Sequence, residues 1–453
     1  MLALGACVKP VVHNFPPDDT GVRLDSTNLP IVWIEVSGDS IMRDTRIGGW
    51  MKIIWNGDSL MNYADTLAHP GQRIDYEGYI AVRYRGNSTY NDSPKKPYSF
   101  RTLATSLRDG GKKQKVSLLG MGKDNNWALL APYVDRSLIR DVLTFELART
   151  WMEYVPRGRH CELIVDGTYY GVYVLAEVVS KGKQRLNLKK PGDEGDALTG
   201  DYLMEVDCND DVTYSSRYYP VDTSGKAMTD RRILFQYKSP DHDDLSNAQL
   251  DYINRRIDAM EAALASSGNY SRYVDVASFI DYQLMMELCH NVDAYRLSCK
   301  FYKRRDSVDP RFKMVLWDTD LAYGNAGHRQ GWRTDTWIYR NNNVRYQEKE
   351  VYMVPFWWYV LNNDPDYTAR LKARWAELRG ANLSDDRLMA TLDSLAAVLT
   401  AHGAVQRNSR AWPCWGEKQW RNQHYIATDY QDEINHIRQW LTARLTWMDT
   451  QLQ

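Results

Sequence analysis

Three aspartates have the types and spacing for metal and proton chemistry. Asp318 and Asp320 follow the apolar run Met314-Val315-Leu316-Trp317 and precede Tyr323-Gly324-Asn325. An Asp-x-Asp at a strand end aims carboxylate oxygens at one point, which suits Mg²⁺ or Mn²⁺. Asp293 stands 25 residues before Asp318, just after His290-Asn291-Val292. A carboxylate there could serve as base for a substrate hydroxyl. Strand-end aspartates are also common turn formers, so the pattern leaves a plain structural reading open.

A second candidate is basic. Arg83-Tyr84-Arg85-Gly86-Asn87-Ser88-Thr89 leads into Lys95-Lys96-Pro97-Tyr98. Turn N–H groups with Arg and Lys side chains could cradle a phosphate, although an ordinary basic hairpin turn has the same look. Glu177 ends the apolar strand Gly171-Val172-Tyr173-Val174-Leu175-Ala176. It reads as edge protection or as the partner of a buried Lys or Arg. Trp332, Trp337, Trp357, Trp358, Trp412 and Trp415 fall in or near expected loops. Flat rings there can stack on sugars, but core packing is the commoner use of Trp.

The elements that must position these residues change character along the chain. From residue 31 to residue 100 the apolar segments are short and alternating, with turns such as Asn56-Gly57, and read as strands. Cys161–Val165, Asp166-Gly167 and Tyr169–Val178 read as a hairpin, and Ser137–Thr150 as a helix capped by Ser137. After about residue 240 helical periodicity takes over. Ser246 caps a run carrying Leu250, Ile253, Ile257, Met260 and Leu264, and Asp364-Pro365 opens another carrying Tyr367, Leu371, Trp375 and Leu378. The expected organisation is a tether over 1–27, a β-rich lobe over 28–240 and a mainly helical lobe over 241–453.

Charge is balanced overall, 57 Lys+Arg against 58 Asp+Glu, which argues against a dedicated nucleic-acid binder. The balance hides two patches. Residues 83–123 hold ten Lys/Arg and two acids, a local net charge of +8. Residues 191–222 hold nine acids and one Arg, a local net charge of −8. Of 54 aromatics, 46 are Tyr or Trp. No apolar run is long enough for a membrane-spanning helix. Leu4-Gly5-Ala6-Cys7 resembles a bacterial lipobox, without a basic leader before it. It leads to the expectation of a cell-envelope lipoprotein, periplasmic or surface-exposed, that meets the membrane only through a lipid anchor on Cys7.

Several ordered segments together resemble the spore-coat CotH family of atypical, kinase-like proteins. They are Tyr84-Arg85-Gly86-Asn87-Ser88 with Pro94-Lys95-Lys96-Pro97-Tyr98, then Leu118-Leu119-Gly120 with Trp127-Ala128-Leu129-Leu130-Ala131. They continue as Asp135-Arg136-Ser137-Leu138-Ile139-Arg140, Gly171-Val172-Tyr173 with Glu177, Asn291-Val292-Asp293 and Trp317-Asp318-Thr319-Asp320. The resemblance implies an α+β, two-lobed, remote protein-kinase-like fold. It also implies transfer of the γ-phosphoryl group of ATP to Ser or Thr of a protein with Mg²⁺ or Mn²⁺. On that basis Asp293 is the catalytic Asp, Asp318 a metal ligand and Asp320 its assistant. Arg85 with Lys95 or Lys96 is then expected to face the nucleotide phosphates, Glu177 to pair with a basic group or sit near the nucleotide, and Arg140 to be a buried structural or phosphate-facing Arg. One position departs from the pattern: five residues after Asp293, where kinase-like sites carry a metal-binding Asn, stands Ser298. The alternative is a weak or inactive kinase-like scaffold that binds a protein or a polysaccharide at the cell surface.

Overall fold

The N-terminal strands alternate inward apolar with outward polar residues, so they can curl into a closed sheet with one lined interior. The computed structural model describes residues 19–36, 39–208, 213–266, 268–344, 350–419, 421–422 and 424–453. The lipobox-like start, with Cys7, and most of the expected tether lie outside the described residues. β1 (Ser26–Thr27) and β4 (Asn62–Tyr63) form a small ribbon. β2 (Ile31–Glu35), β3 (Ile47–Ile54), β5 (Ile74–Tyr84), β6 (Tyr98–Leu103), β7 (Asn126–Leu130), β8 (Gly158–Val165) and β9 (Thr168–Glu177) form a closed barrel in the order β2-β3-β5-β6-β7-β9-β8. Closure comes from β2 lying parallel to β8, Ile31 opposite Glu162. The interior is filled by side chains such as Met51, Ile80, Phe100, Trp127, Leu163 and Leu175.

Two short helices interrupt the barrel. α1 (Ser88–Asp92) is the turn after β5, and α2 (Arg140–Ala148) lies between β7 and β8. The helix expected from Ser137 begins three residues later. The Asp135 carboxylate accepts from Arg140 N at 2.9 Å and from Ser137 N at 3.0 Å, so it performs the capping assigned to Ser137.

After α3 (Gly195–Leu198) a second sheet begins. β10 (Tyr202–Val206), β11 (Thr213–Ser215) and β12 (Leu234–Ser239) join with β13 (Cys299–Lys303) and β14 (Phe312–Val315) in the order β11-β12-β10-β13-β14. The texture change at residue 240 therefore falls inside a sheet, with strands from both sides of it hydrogen-bonded together. The helices of the second half are α4 (Asn247–Ala265), α5 (Val276–Cys289), α6 (Phe356–Asn362), α7 (Pro365–Arg379), α8 (Asp385–Thr400), α9 (Ala404–Ala411) and α10 (Tyr430–Gln451); α5 packs on β14, and α9 on β9 of the barrel. Ser246 and Gln249 make a reciprocal capping box, and Asp364 caps α7. α5 is buried nearly all round, as expected of a central helix. The architecture is mixed α+β. Among the described residues no single helix is long and apolar enough to cross a membrane.

Candidate functional site

Asp293 and Asp318 come from two loops that the fold ties together. α5 ends at His290, whose left-handed φ of +51° stops the helix. Arg444 of α10 donates from Nε and Nη2 to the Glu287 carbonyl, 2.9 and 2.6 Å, and so holds the last turn of α5. The Asn291 carboxamide then bridges the loops. Its Nδ2 donates to the Asp318 carbonyl at 2.8 Å, and its Oδ1 accepts from Asp293 N at 3.3 Å. Tyr323 N donates to the Cys289 carbonyl at 2.7 Å. Gly324 lies so close to α10 that a Cβ would stand 2.6 Å from the Trp440 ring, and its φ is +75°. Glycine is therefore needed for the loop to seat there.

Asp318 has a left-handed backbone, φ +60°, two residues beyond a buried Leu316. A non-glycine residue in that region is uncommon and often marks a functional site. Asp293, Asp318 and Asp320 open onto one pocket. Its other walls are Ser88, Thr89, Asp92 and Ser93 from the α1 turn, with Val134, Leu321 and Arg421. The barrel's basic turn and the two aspartate loops thus face each other.

The carboxylates are not electrically equivalent. Burial raises the Asp293 pKa, but Arg296, Arg421, His328 and Arg329 outweigh it, so the net shift is downward and the group stays ionised. Arg296 pairs with it at 2.6 Å. Asp318 is reached by solvent at the pocket, yet the protein around it desolvates it and Asp293 repels it, so its pKa rises. Asp320 is pushed well up by burial and by Asp318, Asp141 and Asp293. Asp141, in the first turn of α2, accepts from Thr319 N at 2.7 Å and is pushed up to about 7, by burial and then by Asp318. Such mutual repulsion is the condition a divalent cation relieves.

Among the described residues no three His, Cys, Asp or Glu side chains converge closely enough to hold a metal ion by themselves. That suits Mg²⁺ better than a protein-caged metal, since Mg²⁺ is commonly held by one or two carboxylates plus phosphate oxygens and waters. Asp318 with Asp320 is the pair that fits. Ser298, itself left-handed at φ +50°, bonds the Asp318 carboxylate and so stands at the site.

The expected nucleotide-side residues divide. Arg85 lies near enough to Asp318 and Asp141 for their charge to act on it, packs 5.3 Å over Trp317, and has a buried Nη1 without a hydrogen-bond partner. Lys96 donates to the Tyr90 carbonyl at 2.5 Å and braces the α1 turn from behind. Lys95 points away, donating to the Val172 carbonyl at 2.6 Å and Asn408 Oδ1 at 2.8 Å. Burial pushes its pKa down to about 7. Gly171, φ +88°, lets Asn408 come this close; a Cβ there would stand 2.5 Å from Asn408 Oδ1. Glu177 pairs with Arg185 at 2.7 Å and Arg157 at 3.0 Å. Arg140 is fully buried between Asp135 and Glu433, at 2.5 and 2.8 Å, and its Nε donates to the Ala322 carbonyl at 2.9 Å. These last three hold the frame of the site rather than lining its pocket.

Sequence reasoning passed over Asp141 and Arg421, and also Lys300, which pairs with Glu205 beside Asp318. Asp141 follows Arg140 directly, so its one available signal was adjacency. Of the six loop-assigned Trp residues, Trp357 and Trp358 lie in α6 and are fully buried, and Trp412 is buried as well. Trp332, Trp337 and Trp415 are half-buried.

No curated protein matches the sequence. A family model described as CotH kinase protein matches residues 82–448, a span that holds every pocket residue named above. On that match over most of its length, the chain belongs to the CotH kinase family.

Proposed function

We propose that the protein transfers the γ-phosphoryl group of ATP to a Ser or Thr hydroxyl of a protein partner, with Mg²⁺ or Mn²⁺. The observation that carries this reading is the shared pocket of Asp293, Asp318 and Asp320, facing the Ser88–Ser93 turn. In this reading the barrel and the helical half act as two kinase-like lobes with the pocket between them. Asp318, helped by Asp320, holds the cation, which supplies charge neutralisation at the phosphates. Arg85 and Arg421 face phosphate oxygens. Asp293, kept ionised by its arginine neighbours, orients the substrate hydroxyl and accepts its proton. Phosphoryl transfer asks mainly for positioning and charge stabilisation, which this donor set offers.

The test is ATP turnover and autophosphorylation with Mg²⁺ or Mn²⁺, with Asp293→Asn as control. A loss of about 10²- to 10⁴-fold in the variant supports the assignment. Equal turnover in both proteins removes Asp293 from the mechanism. Ser298 favours a second reading, a weak or inactive scaffold, because a hydroxyl is a poorer Mg²⁺ ligand than a carboxamide. Binding of ATP and Mg²⁺ without turnover would identify that case. A lipid on Cys7 would hold either form at the cell envelope, and mass spectrometry of the membrane-extracted protein tests it.

A further inference from the structure

The +8 segment does more than build the pocket turn. Arg83 of β5 and Arg101 of β6 both lie on the outer face of the barrel, since their neighbours Val82 and Phe100 point inward. Arg83 stands opposite Ser99, and Arg101 opposite Ala81. Arg46, just before β3, reaches across the same face. Its Nη1 donates to the Ser99 carbonyl at 2.8 Å and the Ala81 carbonyl at 3.2 Å, and its Nη2 to Ser99 Oγ at 2.9 Å. On the same face Ala81 pairs with Gly48 across β3 and β5; Ala81 is buried, and Leu107 Cβ lies 3.3 Å from where a Gly48 Cβ would stand.

Among the described residues no carboxylate pairs with these three arginines, and Arg83 Nε is buried without a hydrogen-bond partner. Arg46 feels the excess: burial first, then Arg101 and Arg83, push its pKa down to about 9, so at neutral pH Arg46 remains a cation. Gathering like charges on a sheet face is unfavourable unless an anion completes the group. Guanidinium forks match the oxygens of a phosphate in paired hydrogen bonds, which a lone ammonium cannot do.

We infer that Arg46, Arg83, Arg101 and Ser99 form an oxyanion site on the outer barrel face, sharing no lining residue with the aspartate pocket and fitted to a phosphate monoester or free phosphate. The inference does not depend on phosphoryl transfer by the pocket. A phosphorylated side chain on a partner protein and inorganic phosphate share the chemistry, and binding measurements separate them.

The experiment uses the full chain and a fluorescent phosphoserine peptide, its serine and glutamate versions, and inorganic phosphate as competitor. The phosphoserine peptide should bind, with Kd raised at least tenfold by Arg101→Gln or Arg83→Gln and unchanged by Asp318→Asn. A peptide at least tenfold tighter than inorganic phosphate assigns the site to a phosphorylated segment; equal affinity assigns it to the free ion. Where a Gln variant fails to fold, Arg101→Lys keeps the charge and loses the fork, and should cut affinity at least threefold. The inference is overturned if neither phosphate source binds, or if the glutamate peptide binds equally well. It is also overturned if the arginine variants bind like wild type, or if Asp318→Asn abolishes binding.

Discussion

Arg140 and Asp293 both secure the segment from Asp318 to Asn325, and they do so in opposite electrical settings. Arg140 reaches it through the Ala322 carbonyl and is matched by two buried carboxylates. Asp293 reaches it through Asn291 and faces a pocket where Asp318, Asp320 and Asp141 repel one another. The first arrangement is closed: every charge has its partner inside the protein. The second is open, its carboxylates set so close that Asp318 pushes up both Asp320 and Asp141. A closed network fixes geometry, and an open one waits for a ligand of opposite charge. The barrel shows the same contrast in reverse sign, Glu177 closed by Arg185 and Arg157, and Arg46, Arg83 and Arg101 left open.

The largest effect should separate the two settings outright. Asp318→Asn is expected to lower phosphoryl transfer by about 10³-fold, roughly 4 kcal/mol of transition-state stabilisation. It should leave the melting temperature the same or higher, because it relieves repulsion within the pocket. Arg140→Ala is the converse. It strands Asp135 and Glu433 without their cation, and denaturant unfolding should show a loss of about 3–5 kcal/mol. If Asp318→Asn unfolds the protein and Arg140→Ala does not, the assignment of open and closed networks is reversed.

Lys95→Met comes next. Turnover should stay within about threefold of wild type, since Lys95 Nζ is bonded to Val172 and Asn408 and not to the pocket. Stability should fall by about 1–3 kcal/mol, because the Val172 carbonyl loses the Lys95 donor and Asn408 Oδ1 keeps Val172 N alone of its two. The pH dependence is a second readout. The folded pKa is pushed down to about 7 from the ordinary 10.5. Between those values the unfolded chain binds the extra proton, so this residue makes stability rise with pH from about 7 to above 10. That slope should vanish in the variant. A hundredfold loss of turnover instead would put Lys95 back at the phosphates.

The contrast also explains which parts were legible in the sequence. Local signals read well: the Ser246 cap, the Asp364-Pro365 start and the Asp166-Gly167 hairpin all form as patterned. The Asp-x-Asp was visible because it ends a strand, and Asp293 because it follows a helix. What escaped was non-local. Barrel closure pairs Ile31 with Glu162, and the second sheet joins β10 with β13 across the intervening α4 and α5. Lys95 and Lys96 are adjacent in sequence, in the bend before β6, yet one reaches α9 and the other the α1 turn. Asp141 looked like a routine acid in a first helical turn, and only packing of α2 against Thr319 brings it to the Asp318–Asp320 loop.

Ser298→Asn tests the open network with the smallest change. Ser298 is held left-handed at φ +50° with its hydroxyl on Asp318. Asn tolerates that backbone better than most residues, so the loop should keep its course. Its carboxamide reaches farther than a hydroxyl and offers a stronger oxygen donor to Mg²⁺, while its N–H₂ can still bond Asp318. The Mg²⁺ concentration for half-maximal turnover should fall about 2- to 10-fold, the equivalent of one good hydrogen bond. Turnover at saturating Mg²⁺ should change much less, because the added group helps hold the ion rather than the transferring phosphoryl. If instead the variant needs more Mg²⁺, the serine is a better partner for Asp318 than for the metal, and the open charge of the pocket is tuned by hydrogen bonding alone.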